Sequence, residues 1–151
     1  MTVALADALM EDGKDMESKF REYTMTYPGR WYGKGFLQWV EQNFSDPFTG
    51  KSFANGAAMR VSPIAWVFDD IKAVLTRSEK SAKVSHDHPE AIRGAQAVAS
   101  AIHLARFHAT KAEISSYIRD TFAYPVAIND QELQATHDLG CTSEYSVPTA
   151  I

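Results

Sequence analysis

The chain has 151 residues, 45% of them hydrophobic and 23% charged, with a formal net charge of −4. That is the length and balance of one soluble domain, able to bury roughly 68–70% of its unfolded surface. Mild acidity without an unbroken basic stripe argues against nucleic-acid binding, and no apolar run reaches the ~20 residues a membrane span needs.

Helical periodicity dominates, and no alternating strand of convincing length occurs. The first helix is expected over Thr2–Glu11 and the second over Asp15–Tyr27, stopped by Pro28-Gly29. Gly35–Asn43 reads as a short aromatic helix, followed by the loop "FSDPFTGK". Asn55–Phe68 carries Ala58, Val61, Ala65 and Phe68 on one stripe and should bend or break near Pro63, which lacks a backbone donor. Asp69 to about Val84 is the next helix. Its Lys72, Arg77, Lys80 and Lys83 are interrupted by Asp69, Asp70 and Glu79, the pattern of a solvated face.

Pro89 and Glu90 suit the first turn of a long helix reaching about His108. Its stripe is Ile92, Ala95, Gln96, Ala99, Ile102, His103 and Arg106, and its many small residues let neighbouring helices come close. Thr110 and Glu113 form a capping-box pattern for a helix ending at Phe122. Asn129–His137 reads as a short helical piece. Ser146 and Pro148 look like the N-cap and first turn of a helix that barely begins. The expected architecture is one all-α domain, residues 1–151, incomplete at both ends. Val3, Leu5, Ala6, Leu9 and Met10, with Val147 and Ile151, would then lack neighbours, so a homo-oligomer is expected.

The single cysteine, Cys141, rules out an intrachain disulfide, fits a reducing cytoplasm and reads as a small core residue. There is no secretion-signal pattern at the N-terminus, and the expected location is cytoplasmic. Trp31, Tyr32, Phe36 and Trp39 have the spacing of a core cluster. His86 and His88, two apart, do not share a helical face and have no cysteine or further histidine close by in sequence, which argues against a metal site. His88 reads as a capping or solvated residue, and His103 and His108 as packing or surface residues. Asp7 and Glu11 share a face and read as solvated charges.

The stretch "SFANGAAMRVSP", residues 52–63, stands apart. Ala54, Asn55 and Gly56 leave the backbone uncovered where a helix starts, and bare amides there favour a phosphate. The plainer reading makes Asn55 an N-cap and Gly56 a turn residue. Taken with "VSHDHPEAIRGAQAVA", "TVALADALMEDG", "YPGRWYGKGFLQWV" and "HDLGCTSEYSVPTAI", it resembles the ADP-ribosylglycohydrolase family over essentially the whole chain.

The resemblance implies a compact multi-helix orthogonal bundle and recognition of ADP-ribose or an ADP-ribosylated protein. It implies ligand-contacting roles for Ser52, Phe53, Ala54, Asn55, Gly56, Met59, Ser85 and His86, and an adenine-packing role for Tyr145. Where Ala54 stands the family pattern usually has glycine. Family members hydrolyse ADP-ribosyl linkages with two magnesium ions, held by a Thr-Asp-Asp motif and an Asp-x-Asp segment. In the family order these fall before Thr2 and beyond Ile151. The implied protein recognises ADP-ribose, binds no magnesium through this chain, and is inactive alone. Its rivals are a non-catalytic ADP-ribose or nucleotide reader and an oligomeric interaction protein.

Overall fold

A computed structural model describes residues 1–12, 15–42, 52–125 and 141–151. Among these the chain is helical throughout: α1 (Thr2–Met10), α2 (Met16–Thr26), α3 (Lys34–Glu41), α4 (Gly56–Arg60), α5 (Ser62–Val67), α6 (Ile71–Lys83), α7 (Pro89–Arg106), α8 (Lys111–Phe122) and α9 (Ser143–Ala150). The all-α class expected from periodicity is the one observed. The anticipated loop "FSDPFTGK" and the piece at Asn129–His137 lie outside the described residues.

Local chemistry fixes most of the boundaries. Asp15 caps α2 by accepting from the Ser18 amide, and Asp70 caps α6 through the Ala73 amide. His88 caps α7, its Nδ1 accepting from the Glu90 amide. Thr110 and Glu113 close the full capping box of α8. Pro63 splits the segment expected as one bent helix into α4 and α5. Beyond α2, Gly29 turns the chain at φ +74°.

α9 departs from expectation. It begins at Ser143 after the N-cap Thr142, so Ser146 is inside the helix and Pro148 sits in its last turn. Tyr145, which reads as a loop residue, is therefore helical.

α7 is the central element, packed against α4, α5, α6, α8 and α9. Small residues make this possible: Ala91, Gly94, Ala95, Ala97, Ala99 and Ser100 are buried, a wider band than the expected stripe. One apolar cluster joins Leu5, Phe20, Trp39, Val61, Ile64 and Val74, and a second joins Ala97, Ile118, Phe122, Tyr124 and Val147. Each large aliphatic buried this way contributes about 1.5–3 kcal/mol.

Three arginines close the C-terminal ends of neighbouring helices, where free carbonyls and the negative dipole end attract a cation. Arg21 donates to the Trp39, Val40 and Gln42 carbonyls at the C-terminal end of α3. Arg106 donates to the Ala65 and Phe68 carbonyls at the end of α5 and pairs with Asp69. Arg60 donates to the Ser81 carbonyl at the end of α6.

Several expectations are corrected. Leu5, Leu9 and Val147 are buried, Ala6 is half-buried, and Ile151 packs on the second cluster; only Val3 and Met10 of that set are exposed. Tight α1–α2 packing and the seat of α9 on α7 supply the neighbours. Cys141 is exposed rather than core. Trp31 is fully exposed at φ +57°, leaving Trp39 as the buried member of the aromatic group. Asp7 and Glu11 are not simply solvated, for both pair with Lys19, at 3.0 and 3.1 Å. No helix among the described residues is long and apolar enough to cross a membrane.

Candidate functional site

The stretch from Ser52 to Gly56 is pinned from two sides. Along one edge it pairs with the residues leading into α9. Ala54 and Thr142 form an isolated antiparallel bridge, the Asn55 amide donates to the Cys141 carbonyl at 2.8 Å, and the Ser143 amide donates to the Phe53 carbonyl at 3.0 Å. The Ser143 hydroxyl donates to the Ala54 carbonyl, and Asn55 Nδ2 donates to Ser146 Oγ at 3.0 Å. Asn55 thus spends its side chain on α9 and makes no side-chain cap for α4. Asn55 stands at the N-cap position of α4, as the plainer reading has it, but without a capping side-chain bond.

The other contact is with the turn after α6. A Cβ at Gly56 would stand 2.9 Å from His86 Nε2 and 3.0 Å from Cε1, so only glycine lets the imidazole lie this close to the α4 backbone. Met59 is the first α4 amide to bond back, to the Asn55 carbonyl. Among the described residues the amides of Gly56, Ala57 and Ala58 have no backbone acceptor. Because α4 has five residues, its aligned dipole is small; the bare amides carry the attraction for an anion.

His86 is held by Ser85, whose hydroxyl lies 2.8 Å from Nδ1, and by its own amide bond to the Ala82 carbonyl. Burial, and secondarily the nearby Arg60 charge, lower its pKa from 6.5 to about 4, so the ring is neutral at physiological pH. Arg60, one turn after Gly56, is 2% exposed, stacks over the Phe20 ring at 4.6 Å and has no carboxylate partner among the described residues. Burial lowers its pKa to about 9, and it stays cationic at pH 7.

The remaining residues named from sequence are less tightly placed. Phe53 is 54% exposed with its ring edge-on to His88, Ser52 Oγ accepts weakly from the Ala54 amide, and Met59 is exposed. Tyr145 lies apart from the Gly56–His86 contact in one respect: it lines a cavity of about 430 Å³ with Arg93, Tyr124, Pro125 and Pro148, and none of the other named residues does. There the Tyr124 hydroxyl donates to Glu90 at 2.6 Å, Glu90 pairs with Arg93, and Arg93 stacks over Tyr124 at 4.4 Å. Burial, then the Glu90 bond, raise the Tyr124 phenol above its ordinary range. His103 is buried against Phe107 and His108 is exposed, packing and surface roles respectively.

Sequence reasoning missed Arg60, Ser143 and Ser146. Arg60 had a signal, a charge one turn from Gly56 in an otherwise apolar run. The Asn55–Ser146 bond spans 91 positions and had none.

The model of the ADP-ribosylglycohydrolase family matches residues 1–146. The chain belongs to that family. Among curated proteins it is 30% identical over 136 residues to ADP-ribosylhydrolase ARH3 of Gallus gallus, covering 82% of this chain and 35% of the relative. The ARH3 of Danio rerio is 32% identical, covering 69% and 32%, and that of Mus musculus 31%, covering 70% and 33%. The chain spans about a third of the length of these relatives.

The described residues do not fit a metal pair. Nowhere among them do three His, Cys, Asp or Glu side chains converge on a point that could hold an ion. Asp7 and Glu11, nearest in sequence to the family's first aspartate motif, are engaged by Lys19.

Proposed function

We propose that this chain recognises the ADP-ribosyl group, contributing the adenosine-diphosphate side of an ADP-ribosylglycohydrolase cleft. The observation that carries the reading is the contact of the His86 imidazole with Gly56, beside three bare amides at the head of α4. Free amides and a neutral, buried imidazole offer hydrogen bonds to phosphate or ribose oxygens without adding a competing acid. Arg60 adds a fixed positive charge beneath the same turn. Phe53, exposed at the rim, offers a flat apolar face to a base.

On this proposal Asn55 positions the loop through Ser146 rather than capping the helix, and Tyr145 meets the ligand only where the adenine reaches α9. On this proposal the chain alone does not hydrolyse the linkage; a metal pair would need ligands that do not come together among the described residues. Self-association belongs to the same proposal on the exposed Val3 and Met10 of α1, and a light-scattering mass above 16.8 kDa at micromolar concentration tests it.

Calorimetry with ADP-ribose tests the binding. The parent chain binds; His86→Ala weakens binding by about tenfold, roughly one lost hydrogen bond to a charged group, and Asn55→Ala weakens it by freeing the loop from Ser146. Parent-like binding by both variants moves the site elsewhere.

A further inference from the structure

We propose that Ser85 is a positioning residue that fixes His86 as the neutral tautomer with its hydrogen on Nε2, so that His86 serves an oxygen-rich, anionic ligand as a donor and never as a base. The ligand half of this rests on the reading of the site given above; the tautomer half does not.

Ser85 is 1% exposed, and its hydroxyl has one contact among the described residues, His86 Nδ1 at 2.8 Å. A serine hydroxyl carries one proton, and a neutral imidazole has one donor nitrogen and one acceptor nitrogen. If Nδ1 carried the hydrogen and donated to Ser85 Oγ, the serine proton would be buried with nothing to accept it. Leaving a buried donor unmade costs about 1–3 kcal/mol. With Ser85 donating to Nδ1, both groups are satisfied and the imidazole hydrogen is placed on Nε2. That nitrogen is the atom lying against Gly56.

Two further contacts keep the arrangement in place. The His86 amide is anchored to the Ala82 carbonyl, and Arg60 ties α4 to the Ser81 carbonyl one residue earlier. The end of α6 is thus tied to α4 through Arg60 before Ser85, and the His86 ring meets α4 at Gly56 after it. The uncompensated charge of Arg60 also opposes a second proton on the ring, in keeping with its depressed pKa. The result is a donor at Nε2, beside Gly56, suited to a phosphate or ribose oxygen.

Long-range proton–nitrogen NMR correlation on the ligand-free, nitrogen-15-labelled chain at pH 7 reads the tautomer directly. The expected spectrum shows His86 Nε2 protonated and Nδ1 unprotonated. Ser85→Ala should turn this into a mixture and weaken ADP-ribose binding by roughly tenfold, and Ser85→Thr, which keeps the hydroxyl, should restore both. A parent spectrum with hydrogen on Nδ1 overturns the proposal, as does an unchanged spectrum in Ser85→Ala. The parent spectrum decides even where Ser85→Ala fails to fold. A parent with the Nε2 tautomer but no affinity for ADP-ribose overturns the binding reading and leaves the tautomer assignment intact.

Discussion

Gly94 and Ser143 sit back to back where α9 crosses α7: a Cβ at Gly94 would stand 2.9 Å from the Ser143 Cβ and 3.1 Å from Val147 Cγ2. The first obstacle is an atom one bond from backbone, which cannot swing away. Because Ser143 also donates to Ala54 and Phe53, this crossing sets where the Ser52–Gly56 stretch lies.

Gly94→Ala is therefore expected to destabilise the chain by about 1–3 kcal/mol through overpacking, outweighing the ~1 kcal/mol that alanine gains inside a helix. Gly35→Ala, in α3 with nothing within 4 Å of its Cβ position, should stabilise by roughly 0.5–1 kcal/mol. Urea midpoints of the two variants check the opposite signs.

Arg21 holds three carbonyls at the C-terminal end of α3 while stacked 4.1 Å over the Trp39 ring. Removing the guanidinium leaves those acceptors poorly satisfied and uncovers the indole. Arg21→Ala should cost about 2–4 kcal/mol. Arg21→Lys should recover part of that loss, since an ammonium cannot reproduce the planar fork. Thermal unfolding of both variants measures it.

The helices and their order were legible in the sequence, as were the starts marked by Pro89 and by the Thr110–Glu113 box, because these act within one turn. The caps made by Asp15 and Asp70 became apparent only in the structure. What could not be read depends on contacts across the chain. Asn55 has the composition of an N-cap, but Ser146 takes its side chain. Trp31 shares the spacing of its aromatic neighbours, yet a positive φ turns it outward. Within the site, the 52–56 and 85–86 segments were legible as motifs, while the seat of His86 on Gly56 and the buried charge of Arg60 appear only once α4 and α6 are packed together.

Stability should fall on acidification in a defined window. The folded His86 pKa, about 4, lies below the unfolded value near 6.5. Between those values the unfolded chain binds a proton that the folded chain refuses, so stability is lost as pH falls from about 6.5 toward 4. The full loss is on the order of 3 kcal/mol. His86→Gln should flatten that part of the curve, and urea midpoints for parent and variant across pH 4–7 compare them.

The chain alone should release no ADP-ribose from ADP-ribosyl-arginine or ADP-ribosyl-serine, with or without added magnesium. The described carboxylates do not converge, and those of α1 are paired with Lys19. Chromatography of the reaction mixture checks it. Turnover in the ordinary enzymatic range, roughly 1–1,000 per second, would require metal ligands from residues not considered in the site.

The central claim is that residues 52–56 and 85–86 form one binding site for the ADP-ribosyl group, and an NMR titration of the nitrogen-15-labelled chain with ADP-ribose tests it most directly. The expected result is that the amides of Gly56, Ala57 and Ala58 and the His86 ring nitrogens shift together along one saturating curve. Shifts confined to Arg93, Ala123, Tyr124 and Thr149 around the cavity lined by Tyr145, or no shifts at all, would contradict it.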